Sequence, residues 1–123
     1  MAIDIRLANN SSTKTATLIL DGQLDAVGSP ILERSVNKIM TPEIETVILD
    51  LTDLSFISSA GLRMFAKMKK LMKNRGGRFL FVNAQPQVRK VFDIVKAVKV
   101  SEIFASYAEL DEYLEKIQNE EEN

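Results

Sequence analysis

The sequence predicts an α/β domain: a mixed sheet of four to five strands, opened by an N-terminal hairpin and covered by about four helices in the order ββαβαβαβα. Three observations point there. Short apolar runs of strand type alternate with stretches whose apolar residues recur at helical spacing. Two of the runs, Thr46-Val47-Ile48-Leu49-Asp50-Leu51 and Arg78-Phe79-Leu80-Phe81-Val82, are nearly continuous, as in strands buried on both faces of a sheet. The strands alternate with helices, which implies parallel pairing beyond the first hairpin. A chain of 123 residues suits one domain and one proper core.

Taken in order, Ile3-Asp4-Ile5-Arg6-Leu7-Ala8 alternates apolar and polar residues, the pattern of a strand with one buried face. Asn9-Asn10-Ser11-Ser12 reads as a turn, and Thr15 to Leu20 as the second strand, ended by Asp21-Gly22. Ser29-Pro30 opens the first helix: serine caps free N–H groups, and proline at the first helical position has no N–H to waste. Its apolar stripe is Leu32, Val36, Ile39 and Met40, and Thr41-Pro42 stops it. The strand from Thr46 to Leu51 follows. A second helix runs from about Ser59 to Asn74 and ends at Arg75-Gly76-Gly77, where glycine can take a left-handed cap conformation. After the strand Arg78 to Val82, Pro86 opens a third helix with Val88, Val91, Phe92 and Val95 on one face. A short strand near Ile103-Phe104 leads to the S-x-x-E capping box of Ser106 and Glu109. The last helix places Leu110, Tyr113, Leu114 and Ile117 together. The domain is expected over 1–118, with 119–123 as a solvated, disordered acidic tail.

Composition excludes much chemistry. There is no histidine and no cysteine, so serine–histidine catalysis, disulfides and thiolate or imidazole metal sites are out. Neither a dinucleotide fingerprint nor a Walker loop occurs, and Gly76-Gly77 is a helix terminator. A Ser–Lys pair remains conceivable, since Lys67, Lys69 and Lys70 lie downstream of Ser59, but such lysines are usually solvated. Asp50 with Asp53, and Asp21 with Asp25, could be read as Mg²⁺ ligands; turn-shaping carboxylates are the preferred reading. No cofactor is expected, and the chain is not expected to be an enzyme. A net charge of −1 gives no general attraction to nucleic acid or anionic lipid. No signal pattern opens the chain and no apolar run nears the ~20 residues of a membrane span, so a cytoplasmic monomer is expected.

One segment stands apart. The strand ending at Leu51 runs into a short loop with Phe56 and Ile57, two serines at a helix start, then small Ala60 and Gly61. Glycine inside a helix costs ~1 kcal/mol against alanine, so something must come close to the backbone there. Ser58 or Ser59 can simply be the N-cap. A helix N-terminus also presents unpaired N–H groups that tolerate a phosphate, so a serine there can be modified without unfolding the domain. Leu62, Phe65, Ala66, Met68 and Met72 face inward, and Met64 and Leu71 broaden the apolar arc, which leaves Met64 or Met68 at an adaptable edge. Arg63, Lys67, Lys70 and Asn74 mark the polar side. This basic helix lacks the interleaved aromatics of a nucleic-acid surface.

The stretch Asp53-Leu54-Ser55-Phe56-Ile57-Ser58-Ser59-Ala60-Gly61-Leu62 resembles the phosphorylation loop of STAS domains, the sulphate-transporter and anti-sigma-antagonist family. Gly22-Gln23-Leu24-Asp25 resembles that family's G-x-L-D turn, and Val88-Arg89-Lys90-Val91-Phe92-Asp93-Ile94 its third helix. The bacterial antagonists typically carry Asp-Ser-[Ser/Thr]-Gly-Leu. Ser58 stands where that aspartate stands, Ser59 matches the phosphoacceptor, Ala60 the next small residue, and Gly61-Leu62 the end of the run. The resemblance implies an anti-sigma factor antagonist that binds a GHKL-type anti-sigma serine kinase when unphosphorylated. Phosphorylation at Ser59, with Ser58 as the alternative, would switch it off, and a PP2C-type phosphatase would restore it. It also implies a partner surface of Asp25, Phe56, Ile57, Ser58, Ala60, Gly61, Arg63 and Met64. The competing expectation is an unphosphorylated STAS module in a signalling or lipid-transport assembly, in which both serines are structural and the methionine-bearing helix is a permanent interface.

Overall fold

A computed structural model of the chain describes residues 3–8, 13–95 and 102–122. The elements are β1 (Asp4–Leu7), β2 (Thr15–Leu24), α1 (Gly28–Ile39), β3 (Thr46–Ile57), α2 (Ser59–Asn74), β4 (Arg78–Val82), α3 (Pro86–Val95), β5 (Ile103–Phe104) and α4 (Tyr107–Glu122). They build one five-stranded sheet in the order β1-β2-β3-β4-β5. β1 pairs antiparallel with β2, while the pairs β2–β3, β3–β4 and β4–β5 are parallel. The α/β class, the element order and the opening hairpin therefore match the expectation from sequence. The turn expected at 9–12 lies outside the described residues.

Each face of the sheet has its own core. Val47, Leu49 and Leu51 alternate with Ile48, so β3 feeds both. The larger core lies under α1, α2 and α3: Leu32 and Val36, then Leu62, Phe65, Met68 and Met72, then Val88 and Phe92 pack with Phe79 and Phe81. Phe65 sits at its middle, its ring 5.0 Å from Phe81 and 5.9 Å from Phe92. Such contacts add roughly 0.5–1.5 kcal/mol each beyond area burial. The smaller core joins Ile48, Leu80, Val82, Phe104 and Leu110, with Tyr113 and Leu114 packed against it from α4.

Four boundaries differ from the expectation. β2 does not end at Asp21-Gly22. It runs on to Leu24 through register shifts on either side of that pair, with Gly22 at a φ of 110°. β3 likewise continues past Leu51 to Ile57, because the extended part of β2 gives it a partner. The segment read as a loop holding Phe56 and Ile57 is strand. α1 begins at Gly28 rather than at a serine cap: the Ser29 N–H and hydroxyl both donate to the carbonyl of Asp25. Finally, α4 carries helical backbone through the acidic run to Glu122, beyond residue 118. The capping box is seen in one direction, with the Glu109 N–H donating to Ser106 Oγ at 3.2 Å.

Among the described residues, Asp50 is the buried charged one, 8% exposed. Its Oδ1 accepts from the N–H and hydroxyl of Thr52, and its Oδ2 accepts from the Tyr107 hydroxyl at 2.7 Å. Partial burial above all, then the hydrogen bond to Asp50 and the charges of Asp50 and Asp111, push the Tyr107 phenol well above its ordinary range. Asp50 is thus an organiser of the strand and of the start of α4. Among the described residues no group of three or more acidic side chains is arranged to hold a metal ion. No described helix is long and apolar enough to cross a membrane.

Candidate functional site

The extensions of β2 and β3 pair as Gly22↔Leu54, Gln23↔Phe56 and Leu24↔Ile57. This two-stranded tongue reaches past β4, which pairs with β3 no further than Asp50↔Val82. Side chains replace the missing neighbour on one edge: Gln85 donates to the carbonyl of Thr52 at 2.6 Å and Gln87 to that of Ser55 at 3.4 Å. Both glutamines flank Pro86 at the start of α3. Neither has a sequence signature, and their role emerges only from the fold. Within the tongue, Ser55 Oγ on β3 donates to the carbonyl of Gly22 on β2.

The tongue delivers the chain into α2. Ser58 has extended backbone and is the N-cap: its Oγ accepts from the Gly61 N–H at 3.2 Å, and its own N–H donates to the carbonyl of Leu24 at 2.8 Å. Ser59 is the first helical residue and is exposed. Adjacent serines thus have separate tasks. A Cβ added to Gly61 would stand 2.8 Å from Ile57 Cγ1 and 2.9 Å from the Leu24 carbonyl oxygen. The close approach expected from this glycine is made by the protein's own β2.

Asp25 follows the tongue and closes the next turn. Its Oδ1 accepts from the N–H groups of Val27 and Gly28 at 3.1 and 2.8 Å, which satisfies free donors at the start of α1. The turn-shaping reading of this carboxylate is the observed one.

Of the residues expected to face a partner, Phe56 is 48% exposed, Ser59 and Arg63 are exposed, and Ser58, Ala60, Asp25 and Met64 are half-buried. Met64 packs against the larger core. Ile57 and Gly61, expected on the same surface, are buried instead, because the tongue folds them under α2. Met68 is buried too, and Leu71, 49% exposed, takes the edge position that the helical wheel left open between Met64 and Met68. Val27, 74% exposed in the turn after Asp25, is an apolar addition that the sequence did not single out. Lys67 on α2 pairs with Glu33 on α1.

The assembled surface is therefore a pair of exposed apolar side chains, Val27 and Phe56, and an exposed serine at the N-terminus of a long helix with Arg63 one turn on. It offers a hydroxyl to solvent beside a region of positive partial charge. The described site has no general base of the histidine type and no phosphate-binding glycine loop.

Residues 7–110 match the STAS domain family. A Bordetella bronchiseptica protein named as a candidate anti-sigma factor antagonist, BtrV, is 32% identical over 75 residues, which is 61% of this chain and 65% of that protein. This chain thus matches a little under two thirds of that relative's length. The anti-sigma F factor antagonist of Paenibacillus polymyxa is 27% identical over 86 residues, 69% of this chain and 74% of that one. Among solved structures, the anti-sigma factor antagonist SpoIIAA in its unphosphorylated form superposes with a TM-score of 0.75 at 20% identity, over 94% of this chain and 97% of the other. Its phosphorylated form, from Bacillus, gives 0.69 at 21% identity, over 90% and 99%.

Proposed function

Because the chain belongs to the STAS domain family, we propose that it is an anti-sigma factor antagonist whose unphosphorylated form binds an anti-sigma serine kinase and whose phosphorylation on Ser59 releases that kinase. The observation that carries this reading is the division of labour between two adjacent serines. Ser58 commits its Oγ to the backbone of α2, whereas Ser59 is exposed in the first turn. A phosphate on Ser59 adds a charge of about −2 where the helix macrodipole favours it, so the domain keeps its fold. The antagonist names carried by two relatives support the same role.

The switch works through desolvation. In the free protein the phosphate is hydrated and lies beside free N–H groups. In a complex that covers the N-terminus of α2, a dianion loses its water, and without a matching cation that costs several kcal/mol. Binding through Phe56, Val27 and the start of α2 is therefore weakened by modification of one atom at its centre. The partner is a GHKL-type kinase that brings the ATP; this chain is its substrate and its ligand, free as a monomer in the cytoplasm. A PP2C-type phosphatase returns it to the binding state.

The test is to incubate the wild type, Ser58→Ala and Ser59→Ala with the candidate kinase and ATP, then follow phosphorylation and affinity. The expected result is incorporation into the wild type and Ser58→Ala, none into Ser59→Ala, and at least tenfold weaker binding of the phosphorylated form, about 1.4 kcal/mol. Full-rate phosphorylation of Ser59→Ala would move the site to Ser58. An unmodified wild type whose binding is indifferent to Ser59 would favour a permanent interface on this helix.

A further inference from the structure

α2 begins without the charge its dipole favours. No acidic side chain stands in its first turn, where the macrodipole stabilises negative charge. The cap that Ser58 Oγ gives the Gly61 N–H is a neutral one. The polar face that runs on from there is cationic, with Arg63, Lys67, Lys70 and Lys73 all exposed.

These cations are not equivalent. Lys67 pairs with Glu33 of α1. Lys70 and Lys73 lie about three and four turns from Ser59, roughly 16 and 21 Å along the axis, beyond its reach. Arg63 stands four residues on from Ser59, on the same face of the helix, a spacing that puts the two Cβ atoms about 5–6 Å apart. Among the described residues Arg63 makes no ion pair and no side-chain hydrogen bond. The carboxylates of the neighbouring elements are engaged elsewhere: Asp25 Oδ1 accepts from the N–H groups of Val27 and Gly28, and Glu33 is held by Lys67.

We propose that Arg63 is the intramolecular receiver of a phosphate on Ser59. The inference rests on Ser59 being the modified serine and goes on to say what that modification does to its neighbour. An anion placed four residues before a cation is the favourable order on a helix. The guanidinium offers a planar fork of donors that matches two phosphate oxygens at once. Before modification this pair of positions carries a single positive charge; afterwards a phosphate of about −2 beside it leaves about −1. Phosphorylation thus reverses the local sign and also engages the nearest exposed cation. A partner carboxylate that could meet Arg63 before modification meets an occupied guanidinium and a residual negative charge after it.

The experiment places phosphoserine at position 59 of the intact chain by translational incorporation, so no kinase is needed. Phosphorus NMR follows the second ionisation of the phosphate, and the side-chain Nε–H resonance of Arg63 is followed beside it. The phosphate of the wild type is expected to bind its proton at least about twofold more weakly than that of Arg63→Gln at low salt, with Arg63→Lys in between. The Arg63 Nε–H resonance should move on modification. Lys70→Gln removes the same charge about three turns away and should titrate as the wild type does. Arg63 and Lys70 are exposed, so these variants are expected to keep the fold. Equal titration in the wild type and Arg63→Gln overturns the proposal. So does an equal effect of Lys70→Gln, which would assign the shift to the general field of the helix, or an unmoved Nε–H resonance. The kinase assay fails independently: a chain that no kinase modifies can still show this pair, and a chain modified on Ser59 can lack it.

Discussion

The carbonyl oxygen of Leu24 lies 2.9 Å from the point a Cβ would occupy on Gly61. The same oxygen accepts the N–H of Ser58 at 2.8 Å. One atom at the end of β2 thus fixes both the cap of α2 and the residue type allowed three positions later.

Gly61→Ala tests this contact with two opposing effects. Helix propensity favours alanine by ~1 kcal/mol. Overpacking against a backbone oxygen and two side chains costs roughly 1–3 kcal/mol, and backbone cannot rotate away as a side-chain tip can. The net expectation is destabilisation, read as a lower urea midpoint at unchanged slope. An unchanged or raised midpoint would show that α2 shifts freely on the sheet.

Ser58→Ala and Ser59→Ala are expected to separate in stability before any kinase is added. The first removes the N-cap and costs about 1 kcal/mol. The second removes an exposed hydroxyl and stays within ~0.5 kcal/mol. Equal losses in chemical denaturation would contradict the assignment of Ser58 as the structural serine.

Tyr107→Phe removes the donor to Asp50. Loss of a hydrogen bond to a charged group is expected to cost about 1.5–3 kcal/mol near neutral pH, at the low end here because Tyr107 is partly exposed. The pH dependence has a definite sign. The folded-state phenol is raised above its ordinary value of 10.0. Its contribution is therefore fully present below that pH and is lost as pH rises through the folded value. The stability difference between wild type and Tyr107→Phe should shrink above pH 10.0. A gap that widens there would reverse the assigned role of the pair.

Deleting 119–123 is expected to change stability by less than ~0.5 kcal/mol, because the described side chains there, Asn119 and Glu120, are exposed. A large drop in melting temperature would mean that the end of α4 is packed.

How much the sequence disclosed depended on what each signal measures. Apolar runs and periods identified most elements: Val47–Leu51 and Phe79–Val82 read as buried strands from their length and β-branched or aromatic content, and Leu110, Tyr113 and Leu114 share a helix face. It did not reveal that β2 and β3 run on. Asp-Gly is a strong turn signal, yet Gly22 at φ 110° serves here as an irregularity within a strand. The buried residues Leu54 and Ile57 are three apart, which breaks the alternation expected of a strand. The helical wheel gave the angle of Met68 and Leu71 but not what covers each. Ser59 was singled out by the segment's resemblance to a family, whereas the glutamines that steady the tongue carried no signal of their own.

The division of the core between two sheet faces has a consequence for the order in which the protein is made. Phe65, Phe81 and Phe92 all precede the last quarter of the chain, whereas the second face waits for Phe104 and Leu110. A ribosome therefore releases a nascent chain able to bury one side of its sheet while the other still exposes Ile48, Leu80 and Val82. α4, synthesised after every strand it covers, is the intramolecular lid that ends this window, and a chain stalled or cleaved ahead of it offers chaperones and proteases a bare sheet.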